Sequence, residues 1–120
     1  AVKYMNKGRV VLIAGGVGKP GFTTDTGVVA QAFELHCESI IKTTKVDGIY
    51  DEDPAINPNA NRYERLTFNE ALENQKIQVM DRAALAFAAD KGISLAICQP
   101  VPETVLAVLG GDTSKGTIVS

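Results

Sequence analysis

The chain alternates short β-branched runs with helix-like stretches, and the first run ends directly on a glycine-rich loop. Arg9-Val10-Val11-Leu12-Ile13-Ala14 is apolar after its first residue, and the loop opening at Gly15 follows without a break. A continuous apolar run of this kind reads as a strand of a parallel sheet covered on both faces. Leaving such a strand, the loop enters "TTDTGVVAQAFELH", where Val28, Val29, Ala32, Phe33 and Leu35 give a helix with a broad apolar face. Thr23, Thr24 or Asp25 can cap its start. Ser39 to Thr43 ("SIIKT") is a second strand, so the first part of the chain reads as a βαβ unit.

The alternation continues. "KVDGIYDEDPAINPNANRY" is turn-rich, because Asp47-Gly48 favours a tight turn and Pro54 and Pro58 exclude helix. Thr67-Phe68-Asn69-Glu70 is a capping box, and Asp81 can cap a second helix that Gly92 ends. Met80 and Leu85 stand at the spacing of a hydrophobic staple around that cap. Ile93 to Cys98 is a third strand, Pro102-Glu103 opens a short helix stopped by Gly110-Gly111, and "GTIVS" is a fourth strand. The pattern predicts an α/β three-layer sandwich with a mainly parallel sheet, formed by residues 1–120 as one unit.

Composition narrows the function classes. With 45% apolar and 22% charged residues in 120, the chain is of the ordinary globular type, and a net charge of −2 gives no electrostatic reason to expect nucleic acid or an anionic membrane. No apolar run approaches the ~20 residues that span a bilayer. Cys37 and Cys98 form no metal spacing, so reduced thiols in a cytoplasmic protein are expected. His36, the single histidine, falls late in a helix and reads as a surface residue.

Gly16-Val17-Gly18-Lys19-Pro20-Gly21 matches the dinucleotide fingerprint G-x-G-x-x-G. Two features speak against that chemistry. Pro20 stands where free N–H groups should already face a pyrophosphate, and the second strand ends in Thr43-Thr44-Lys45 where an acid should hold the ribose. The P-loop pattern fails as well, because Lys19 is followed by Pro20 and the first required glycine would be Ile13. What remains is glycine-permitted backbone followed by the hydroxyls of Thr23, Thr24 and Thr26 at a helix N-terminus. Exposed N–H groups and the helix dipole suit an anion there, and plain capping explains the same residues.

The second polar cluster, Lys42 to Pro54, follows the next strand and falls on the same rim by the carboxyl-end rule. It offers two lysines for phosphate charge, Tyr50 for stacking on a base, and the acids Asp47, Asp51, Glu52 and Asp53. The bland reading is a solvated polar turn. An EF-hand is excluded, because neither its glycine nor its closing glutamate falls at the required spacing.

Taken together, "GRVVLIAGGVGKPGFTTDT", "IIKTTKVDGIYDEDP", "RYERLTFNEAL", "VMDRAALAFAADKGI" and "GTIVS" resemble, in order and spacing, the C-terminal half of the bacterial uridylate kinases of the amino acid kinase superfamily. The resemblance implies ATP-dependent phosphorylation of UMP to UDP, with Mg²⁺, in a cytoplasmic homo-oligomer, a homohexamer in that family. It implies that Thr44, Tyr50 and Asp53 lie around the adenine and ribose of ATP, and that Gly18, Pro20, Phe22, Thr23 and Thr24 lie along bound UMP. Asp25 corresponds to an acid beside the reacting phosphates, organising lysine and Mg²⁺; the acceptor phosphate is already ionised, so no proton-abstracting base is needed. Val17, Lys19 and Gly21 depart from the family's usual Thr, Asn and Phe, and "CQPVPE" replaces an Asn-containing segment. The family's N-terminal half, with its lysine-containing phosphate loop, has no counterpart, so the chain is expected to be a fragment of a longer kinase. Two other functions fit the residues: a superfamily kinase acting on carbamate or an amino-acid carboxyl group, and a non-catalytic nucleotide-binding module.

Overall fold

The structure, a computed structural model, describes residues 2–14, 24–77 and 79–120. Its elements in chain order are α1 (Val2–Met5), α2 (Thr24–Glu34), β1 (Ser39–Thr43), β2 (Arg65–Leu66), α3 (Phe68–Glu73), α4 (Arg82–Lys91), β3 (Ser94–Cys98), α5 (Pro102–Leu109) and β4 (Gly116–Val119). A single 3-10 turn, Thr113–Lys115, leads into β4.

The strands form one sheet in the order β1-β3-β4-β2. β1 runs parallel to β3, pairing Ile40 with Leu95 and Ile41 with Ala96, and β2 runs parallel to β4. β3 and β4 are antiparallel. Cys98, last in β3, pairs with Gly116, first in β4, so α5 and the 3-10 turn are an excursion that brings the chain back to the end it left. The sheet is therefore mixed, with parallel pairing at both flanks.

Strand alternation divides the apolar side chains between two cores. Ile40, Leu95, Ile97 and Val119 face one side, where they pack with Val29 and Ala32 of α2, Ala71 of α3 and Ala84, Leu85 and Ala88 of α4. Ile41, Ala96, Cys98 and Ile118 face the other side and pack against Val105 and Val108 of α5. Helices on both faces of one sheet make the expected three layers. Leu85 and Leu95 are almost completely buried in the larger core, and truncating either to Ala would cost about 2–5 kcal/mol.

Local signals set the start of α3 and both ends of α4. Thr67 Oγ1 accepts the Glu70 N–H at 3.1 Å while Glu70 Oε2 accepts the Thr67 N–H at 2.9 Å, closing the capping box. Asp81 Oδ1 accepts the Ala84 N–H at 2.8 Å at the start of α4, and Gly92 ends that helix in the left-handed region at φ 67°. Met80 and Leu85 belong to the same core cluster.

Two expectations need correction. Arg9 to Ala14 is not a strand: it lies outside the sheet with Val10 and Leu12 more than nine-tenths exposed. Consequently the βαβ unit read in the first part of the chain does not form, and β1 finds its parallel neighbour in β3. Composition supplies strand propensity, but a strand exists only through a hydrogen-bonded partner, and none of the described residues pairs with this run. Its place as fourth strand is taken by the short β2, hidden in sequence between a turn and a capping box. α1 was also not anticipated.

Candidate functional site

Two polar groupings stand together at one end of the sheet. The first is a cleft of about 300 Å³ lined by Thr44, Tyr50 and Asp53 together with Gly48, Val79 and Ile97. The three residues expected around a nucleotide thus share one cleft, because a single turn-rich segment folds back on itself after β1. Asp51 N–H donates to the Asn61 carbonyl at 3.0 Å and Tyr63 N–H to the Ile49 carbonyl at 2.8 Å, closing that segment as a narrow ribbon.

The side chains of Thr44, Tyr50 and Asp53 each have a defined partner. The Thr44 hydroxyl donates to the Val46 carbonyl at 2.8 Å and accepts the Val46 N–H at 3.1 Å, and the Thr44 N–H extends the β1–β3 ladder to the Cys98 carbonyl at 2.9 Å. Thr44 therefore shapes the turn at the cleft floor. The Tyr50 hydroxyl donates to Asp47 Oδ1 at 2.7 Å. That hydrogen bond raises the phenol's pKa above its ordinary 10.0; burial and the Asp47 charge add to the effect, and the Arg62 charge opposes it. Asp53 is exposed; its Oδ1 accepts the Ala55 N–H at 2.9 Å, and Oδ2 has no protein partner among the described residues.

Gly48 makes the close approach possible. Its φ is 151°, and a Cβ there would stand 2.6 Å from Thr117 Oγ1 and 2.9 Å from Arg62 Cδ. Thr117 is fully buried, accepting the Ile49 N–H at 3.0 Å and donating to the Tyr63 carbonyl at 2.5 Å, so it locks the ribbon to β4.

The second grouping centres on Asp25, in the first turn of α2. Its Oδ1 lies 3.1 Å from Lys42 Nζ, and its Oδ2 accepts the Asp81 N–H at 3.1 Å. Lys42 Nζ also donates to the Val79 carbonyl at 2.8 Å. Three elements meet here: the start of α2, the end of β1 and the approach to α4. Both side chains of the ion pair keep more than a fifth of their surface exposed, so the ammonium can still meet a ligand. Val79 joins the groupings, because its carbonyl receives Lys42 and the residue also lines the cleft.

Thr24, at the first position of α2, lines a different hollow of about 540 Å³ with Gly27, Val28, Ile40 and Ile41. Gly18, Pro20, Phe22 and Thr23 lie outside the described residues. Sequence reading noted Lys42 only as a source of phosphate charge and missed it as the partner of Asp25. The available signal was alternation: Lys42 stands two residues after Ile40, on the strand face that packs against helices. From sequence alone Asp81 reads as a cap, and Arg62 and Thr117 carry no local motif.

Comparisons with known proteins identify the family. The model of the amino acid kinase family matches residues 1–99. A uridylate kinase of Azorhizobium caulinodans is 43% identical over all of this chain and half of its own length. That of Aliarcobacter butzleri is 42% identical over 99% of this chain and 51% of its own. Among solved structures, UMP kinase from Bacillus anthracis superposes with a TM-score of 0.91 at 32% identity over 99% of this chain and 49% of that one. UMP kinase from Ureaplasma parvum gives 0.87 at 41% identity over 98% and 50%. The chain spans about half the length of the curated relatives it matches. Matched by that family's model over most of its length, with the same fold in its solved relatives, the chain belongs to the amino acid kinase family.

Proposed function

We propose that the chain supplies the ATP site and part of the acceptor loop of a kinase that phosphorylates UMP to UDP. The observation that carries the reading is the gathering of Thr44, Tyr50 and Asp53 in one cleft whose wall, at Val79, adjoins the Lys42–Asp25 pair. In this reading Tyr50 provides a ring wall for adenine, Asp53 Oδ2 accepts from a ribose hydroxyl, and Thr44 holds the turn that shapes the floor. Asp25 aims the Lys42 ammonium at the phosphates, where its charge offsets the negative charge of the transferring group without any proton transfer. The loop containing Gly18, Pro20, Phe22 and Thr23, with Thr24 at the start of α2, takes the uridylate.

Magnesium fits this site as a partner of the nucleotide. Among the described residues no three His, Cys, Asp or Glu side chains converge on a metal position, and both Asp25 oxygens already have protein partners. Phosphate oxygens would supply most of its ligands, as is usual for Mg²⁺, with Asp25 at hand. When bound, the ion neutralises phosphate charge.

The acting protein in this proposal is longer than the chain. Its remaining half contributes a lysine-bearing phosphate loop and most of the uridylate pocket, and the assembly is a cytoplasmic homo-oligomer, a homohexamer by family resemblance. No helix among the described residues is long and apolar enough to cross a membrane.

The test is coupled ADP release from the full-length protein with ATP and Mg²⁺, offering UMP, carbamate or an amino acid in turn. ADP release with UMP supports the proposal. Release only with carbamate or an amino acid moves the substrate elsewhere in the family, and release with none of them points to a binding module. The 120-residue chain alone should be silent, because losing one cationic side of the phosphoryl group costs on the order of 5 kcal/mol, roughly four decades in rate.

A further inference from the structure

Among the described residues, Arg62 is heavily engaged although it has no role above. It is half-buried, and its guanidinium donates to the carbonyls of Thr113 at 2.9 Å, Gly116 at 2.5 Å and Ser114 at 3.1 Å. These carbonyls belong to the 3-10 turn and the first residue of β4. On its other side, Arg62 Nε stands 4.0 Å from Asp47 Oδ2, while Asp47 Oδ1 accepts the Tyr50 hydroxyl at 2.7 Å. The backbones of Tyr50 and Arg62 form an antiparallel bridge, so the two side chains start from facing positions.

We propose that Arg62 is a positioning residue of the nucleotide cleft: anchored on the turn before β4, it holds Asp47 against the Tyr50 hydroxyl and so fixes the ring that forms the base-facing wall. The inference rests on the ATP-site reading above for its functional consequence, and on the geometry alone for the relay. A planar fork with several donors suits this task, because it fixes direction where a lysine would supply only charge. Arg62 also covers Gly48, whose missing Cβ leaves room for the Arg62 Cδ. The relay makes the segment before β4, remote in sequence, a support of the cleft.

Two measurements on the full-length protein test it. The first is ultraviolet titration of Tyr50 without nucleotide, isolated by difference against Tyr50→Phe. Arg62→Met removes a nearby positive charge, which by itself would raise the phenol pKa further; if Arg62 holds Asp47 in place, its loss frees the carboxylate and the pKa falls back toward 10.0. A fall supports the relay, and a rise or no change overturns it. The second is ATP affinity in a double-mutant cycle. Arg62→Met should weaken ATP roughly threefold to tenfold, and that loss should largely vanish in the Tyr50→Phe background. An equal loss in both backgrounds means that Arg62 acts on the fold and not through Tyr50. Arg62→Lys, which keeps the charge and most of the volume, should behave like Arg62→Met in both assays if the fork matters, and provides a folded variant should Met fail to fold. If the unsubstituted protein binds no ATP while the titration falls, the nucleotide reading fails and the Arg62 relay stands.

Discussion

Lys42 Nζ lies 3.1 Å from Asp25 Oδ1, and the opposite oxygen of the same carboxylate accepts the backbone N–H of Asp81. One carboxylate thus fixes a cation at the end of β1 and the entry to α4 at once. The contact joins the start of α2, the end of β1 and the approach to α4, so charge placement at the site depends on how these three elements pack.

Asp25→Asn keeps an oxygen for the Asp81 N–H but removes the charge that aims Lys42. In the full-length kinase, turnover should fall on the order of a hundredfold, while the melting temperature changes little. Steady-state kinetics beside a thermal melt checks both; turnover within about twofold of the unsubstituted protein removes Asp25 from the chemistry.

Gly48→Ala should destabilise the fold by about 2 kcal/mol, because its left-handed backbone disfavours a side chain and its new Cβ would collide with Thr117 Oγ1, which cannot move without breaking two hydrogen bonds. Urea unfolding should show the midpoint shift, and the ATP KM should rise with it, since Gly48 lines the cleft. An unchanged midpoint would mean that the ribbon and β4 separate easily.

The Tyr50 phenol has a raised pKa, chiefly because its proton is shared with Asp47. A group whose folded value lies above its unfolded value stabilises the fold fully below the unfolded value, and the contribution is lost as pH rises through the folded one. Stability should therefore decline above pH 10.0 with a component that Tyr50→Phe abolishes, and Asp47→Asn should move the tyrosinate step back toward that value. Absorbance titration of the two variants reads both effects.

What was legible in the sequence was local. The Thr67–Glu70 box, the Asp81 cap and the Gly92 terminus each need only a few neighbouring residues, and all are present. Ser39 to Thr43 was readable because a β-branched core strand has no competing helical pattern. Thr44, Tyr50 and Asp53 could be grouped because one short turn carries them to one cleft. Arg9 to Ala14 has the same composition as a core strand, yet strand formation depends on a partner that composition does not specify. The Asp25–Lys42 pair, the Arg62 anchor and the buried Thr117 all join segments distant in sequence, and their residue types alone do not select each other.

The ATP site is tested most directly at Asp53, which has a carboxylate oxygen without a protein partner among the described residues and can be neutralised with almost no change of shape. In the full-length protein the KM for ATP of Asp53→Asn should rise roughly tenfold to a hundredfold, the worth of a charge-assisted hydrogen bond of about 1–3 kcal/mol, while the KM for UMP stays near its original value. An unchanged KM for ATP, or a rise confined to UMP, would contradict the assignment of this cleft to ATP.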